Sequence, residues 1–164
     1  MNPIMTQPTE LALWYAAINE AEQLQSIQLH HGVEGYVVMM LQRYTAEHPE
    51  LAEPIAIELL EACQNAHSQI KQAKLQQLGD RCLLLSGLFP ESASRRNVSV
   101  DYYINAGKTA YATLHDVACH YNSHSESIYA DLHQKFVEVT KVLAGLRPNN
   151  TIQILDQISS FKKH

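Results

Sequence analysis

Apolar residues recur at steps of three and four along almost the whole chain, and no strand-hairpin signal interrupts them. Leu11, Trp14, Ile18, Ala21 and Leu24 mark one stripe; Val33, Tyr36, Val37, Met40, Leu41 and Tyr44 mark a second. A helix with one such stripe is marginal alone and must bury it against another. The chain is therefore restricted to helices packed on helices.

Proline, glycine and capping residues divide the pattern. The first helix is predicted from near Pro8, a residue favoured at the first helical position, with a break over Gln28 to Gly32. The second is predicted to stop at His48-Pro49, and a short third to begin at Pro54 and carry Ile55, Leu59, Leu60 and Cys63. The fourth spans Ser68 to Phe89 on a face of Leu75, Leu78, Cys82 and Leu85, and Pro90 ends it. Glu91 to Ser99 reads as a connecting loop. The fifth starts at Ser99 or Val100, with Tyr103, Ala106, Ala110, Leu114, Val117 and Tyr121 as its buried stripe. Ser123 and Glu126 form a capping box for a sixth helix, with Ile128, Tyr129, Leu132, Phe136, Val139 and Leu143 inward, ending near Gly145. Thr151 caps a short last helix through Phe161. The expectation is an all-α compact bundle of six or seven helices, one domain over residues 1–164, with 1–7 and 162–164 as flexible ends.

A chain of 164 residues can bury roughly 68–70% of its unfolded surface and needs no disulfide or metal to hold together. Its three cysteines, Cys63, Cys82 and Cys119, form no Cys-x-x-Cys pair, which suits reduced thiols and a cytoplasmic setting. No apolar stretch approaches the roughly 20 residues of a membrane span. Charge is uneven. Residues 1–66 hold nine Glu and one Arg, net −8, while residues 67–164 hold eight acids and eleven bases, net +3. Nine histidines soften the overall −5, and protonating all of them would turn it into +4. Self-association or solubility is therefore expected to change between about pH 7 and pH 5, since a histidine ordinarily titrates near 6.5.

Catalytic patterns are missing. No Glu-x-x-His occurs, which argues against a di-metal bundle, and neither a Gly-x-Ser-x-Gly elbow nor a phosphate loop is present. Cys63 with His67, and Cys119 with His120, are the weak alternative for a metal site. No cofactor is implied. A net acidic chain without a basic stripe also speaks against nucleic acid.

Gly79 to Tyr111 stands apart. Its small residues (Gly79, Ser86, Gly87, Ala106, Gly107, Ala110) would let two helix backbones approach closely. Asp80 lies at an apolar junction and needs a partner if buried, which Arg95 or Arg96 could supply by folding back. Tyr102, Tyr103 and Tyr111 add rings with polar tips, and Asp101 adjoins them. These seven residues, Asp80, Arg95, Arg96, Asp101, Tyr102, Tyr103 and Tyr111, are the candidates for ligand binding or docking. Their alternative role is a clamp that fixes the core. The order Gly79-Asp80, Ser86-Gly87, Phe89-Pro90-Glu91-Ser92, Arg95-Arg96, Asp101-Tyr102-Tyr103, Gly107, Ala110-Tyr111 resembles a group of uncharacterised bacterial all-helical proteins of similar length. It departs from them at Ser99-Val100, ahead of Asp101, and the specific match covers about a fifth of the chain. The resemblance implies a helical fold and bacterial origin, and no activity. The functional expectation is a non-enzymatic interaction or adaptor domain that contacts a protein partner or a second copy of itself, with no membrane partner. A small-ligand or metal-binding protein with a polar pocket beside the fourth helix is the alternative.

Overall fold

The computed structural model describes residues 9–47, 55–65, 67–95, 97–120 and 126–146. Among them every regular element is helical: α1 (Glu10–Gln25), α2 (His31–Glu47), α3 (Ile55–Gln64), α4 (Ser68–Gly87), α5 (Glu91–Arg95), α6 (Val100–His120), α7 (Glu126–Gln134) and α8 (Phe136–Ala144). The chain is an all-α bundle, and no helix among the described residues is long and apolar enough to cross a membrane. The expected capping box, the last helix from Thr151, the stop at His48-Pro49 and both expected flexible ends lie outside the described residues.

Local chemistry sets the boundaries. Thr9 caps α1: its hydroxyl oxygen accepts the Ala12 N–H at 3.1 Å, satisfying one orphan donor of the first turn. Ser26 closes α1 in the left-handed region, with φ of 54°. Ser99 caps α6 by accepting the Tyr102 N–H at 3.2 Å. The expected loop after Pro90 contains the five-residue α5. The expected sixth helix is two helices, divided at Lys135.

α4 and α6 form the central pair, the most extensive helix contact in the bundle. Their closeness depends on glycine. A Cβ on Gly107 would stand 2.9 Å from the Cβ of Cys82, and one on Gly79 would meet the Tyr111 ring at 2.6 Å. α7 packs on α6, whereas α8 packs mainly on α4 and α1. From Cys82 to Gly87, α4 is buried on every side. The α6 stripe is Tyr103, Gly107, Ala110, Tyr111, Leu114 and Ala118, so Gly107 and Ala118 replace the expected Ala106 and Val117, which are half-buried. On α1 the buried stripe is Trp14, Ala17, Ile18, Ala21 and Glu22, while Leu11 and Leu24, expected inward, are exposed. Leu11 is the second residue of α1 and Leu24 the penultimate, both beyond the buried span from Trp14 to Glu22.

Candidate functional site

Asp80 lies deep in α4, 8% exposed, and collects the polar tips of three other side chains. Its Oδ1 accepts the Tyr36 hydroxyl at 2.5 Å and the Tyr111 hydroxyl at 2.7 Å. Its Oδ2 accepts Arg43 Nη2 at 3.0 Å. Tyr36 and Arg43 sit seven residues apart, two turns along one side of α2, and Tyr111 comes from α6. One carboxylate therefore joins three helices. The rings are packed as well as bonded. Tyr36 stands edge-on to Tyr111 at 6.2 Å and to Tyr129 at 6.3 Å, and the Arg43 guanidinium lies 6.0 Å from the Tyr36 ring centre. Tyr111 also tilts against Phe136.

Burial dominates the electrostatics. It raises the Asp80 carboxyl above its ordinary value, although both tyrosine hydroxyls and Arg43 pull the other way. Burial, then the nearby Asp80 charge, pushes the Tyr111 phenol well above its usual value, and Tyr36 behaves likewise. The raised values keep both phenols protonated as donors, and the bond geometry makes Asp80 their acceptor. Arg43, with 42% of its side chain exposed, carries the cluster toward solvent. With both carboxylate oxygens engaged, the arrangement ties α2, α4 and α6 together.

Of the seven sequence candidates, Asp80 and Tyr111 come together. Tyr103 lies eight residues before Tyr111, roughly 12 Å along α6. Its ring is buried against Tyr102, centre to centre 5.6 Å, and its hydroxyl has no hydrogen-bond partner among the described residues. Asp101 is exposed. Arg96 and the Arg95 side chain, expected to serve Asp80, lie outside the described residues, and the guanidinium bound to Asp80 is that of Arg43. The sequence reading missed Arg43; its signal was the Tyr36–Arg43 spacing of seven on one helix.

Two clefts open elsewhere. One, of about 400 Å³, is lined by Asn65, Ser68, Lys71, Thr113, Asp116 and His120. The other, of about 650 Å³, lies between the α1–α2 turn and the α7–α8 junction. No member of the Asp80 cluster lines either. For the metal alternative, no group of three or more His, Cys, Asp or Glu among the described residues is placed to hold an ion. Cys63 is half-buried on α3, and Cys119 is exposed on α6 with its Sγ 3.6 Å from His115 Nε2.

A second acidic pair was not foreseen. Glu22 on α1 and Glu34 on α2 are 4% and 5% exposed, each on the apolar stripe of its helix. No family model, curated protein or solved structure matches the chain.

Proposed function

We propose that this chain is a non-enzymatic helical domain that works through protein contacts, and that it pairs with a second copy of itself through the outer face of α1 and α2. The observation that supports this reading is an exposed apolar strip. Leu11 and Tyr15 stand one turn apart on α1, and Met39 is 51% exposed on α2. The two helices meet beneath the strip: the Tyr15 hydroxyl lies 3.3 Å from where a Cβ on Gly35 would stand, and Met39 is one turn beyond Gly35. Exposed apolar side chains that adjoin one another mark contact surfaces more often than scattered ones do.

Charge favours a second copy as occupant. The strip lies in the half of the chain that carries net −8, and the remaining residues carry net +3. A two-fold pairing that sets the acidic hairpin of each copy on the more basic half of the other is complementary twice over. Sedimentation of the purified chain tests the reading. A concentration-dependent dimer is expected, weakened by salt and at least about tenfold weaker in the Leu11→Ser, Met39→Ser double variant, a loss of about 1.4 kcal/mol. A chain that stays monomeric at all concentrations, or a dimer indifferent to the double substitution, would refute it.

A further inference from the structure

We propose that Glu22 and Glu34 hold a single proton between them and form a proton-operated latch on the turn that joins α1 to α2. The argument begins with donors and acceptors. Glu22 Oε2 accepts the backbone N–H of Leu29 at 2.8 Å. Its other oxygen, Oε1, is buried and has no donor among the described residues, and the buried Glu34 carboxyl on the helix packed against α1 is the acid that acts on it. Ionised carboxylates only accept. The contact becomes a hydrogen bond when one of the two carries a proton, and without it two buried negative charges face each other.

Burial, reinforced by Glu34, raises the Glu22 carboxyl from 4.5 to about 7, while the Leu29 N–H and His31 pull it down. The surrounding elements give the double anion little relief. In the turn and on α2, His30 and His31 are exposed, and His31 Nδ1, 3.4 Å from Glu34 Oε1, offers a positive charge only when protonated. Across the adjoining cleft stand Asp131 of α7, Lys135 at the junction and Glu138 of α8, two acids against one base. Lys141 on α8 is exposed.

The latch has something to release. Residues 26–30 fold back beneath the end of α1: Ser26 is left-handed, and the Ile27 N–H donates to the Glu22 carbonyl at 3.0 Å. Leu29 is then drawn into the core. Ile27 to Leu29 also form one wall of the 650 Å³ cleft, so freeing the turn remodels that wall. With the proton present the wall is pinned; without it, repulsion between the carboxylates works against the Leu29 bond.

Two measurements on the full chain test this. Carbon-13 NMR of labelled glutamate should show one carboxyl, lost in Glu22→Gln, titrating near pH 7. Hydrogen exchange at the Leu29 amide, corrected for intrinsic chemistry, should rise by up to about tenfold for each pH unit between about 4.5 and that midpoint, and level off above it. Glu22→Gln should keep Leu29 protected from pH 6 to pH 8, because an amide accepts from Leu29 and donates to Glu34 without titrating. Glu34→Gln should lower the Glu22 midpoint by about one unit or more. If every glutamate of the unsubstituted protein titrates below about pH 5.5, the proposal falls, whatever the variants do. Equal pH dependence of Leu29 exchange in the unsubstituted chain and Glu22→Gln would overturn it too.

Discussion

Replacing Asp80 by alanine would strip two phenol hydroxyls and one guanidinium of their acceptor in a single step. Tyr111 is fully enclosed and Tyr36 partly so, and their stranded hydroxyls carry most of the cost, about 3 kcal/mol. Arg43 is half exposed and water can take over its bond, so Arg43→Ala should cost about 1 kcal/mol or less. Urea unfolding checks both, with the midpoint moving and the slope unchanged. This cluster also shows what a sequence discloses about a single residue. Asp80 is recognisable as a misfit, because an acid between Leu78 and Cys82 on an apolar face must find a partner. Which partner it finds depends on where α2 lies across α4, a tertiary relation that local spacing does not encode. Arg95 and Arg96 are nearer along the chain, and the bond is made by Arg43 from another helix.

Among elements, the α4–α6 pair turns on side chains that are absent. Gly107→Ala would place a methyl between Cys82 and the Phe136 ring, forcing the helices apart, at a cost of about 2 kcal/mol. Gly35→Ala makes the matching control. It meets only the Tyr15 hydroxyl, so the gain in helix propensity, up to about 1 kcal/mol, should leave it neutral or stabilising. Thermal unfolding of the two variants side by side measures the contrast. Helix existence was legible because the apolar period is strong from Trp14 to Leu143. The inward angle was less so. Periodicity ranks Ala106 above Gly107 for burial, yet close approach selects the residue with no side chain. Leu11 and Leu24 show the converse, apolar residues next to the two ends of α1, beyond the stretch that its neighbours cover.

For the molecule as a whole, the pH response runs against common acid denaturation. Glu22 binds its proton more tightly folded than unfolded, at about 7 against 4.5. Its contribution is therefore complete below about pH 4.5 and is lost as pH rises through about 7. Asp80 is shifted the same way. Thermal stability is expected to decline from pH 5 to pH 8, with a shallower decline in Glu22→Gln, as scanning calorimetry at matched ionic strength would show. From composition alone, nine histidines occupied this pH window. The structure adds a carboxyl to it, which no count of residue types reveals, because its titration depends on what encloses it.

The division of the last described helix at Lys135 has a consequence for synthesis. Beyond the break, α8 turns away from α6 and seats its end on α1, where a Cβ on Gly145 would stand 3.1 Å from that of Ala21. Ala21 and Gly145 lie at opposite ends of the described chain. At roughly 5 to 20 residues per second, the ribosome completes α8 roughly 6 to 25 s after α1. For that interval α1 has α2 to lean on and lacks its second neighbour. The newborn hairpin therefore waits with part of its apolar face uncovered until the latest-made of the described helices reaches the first.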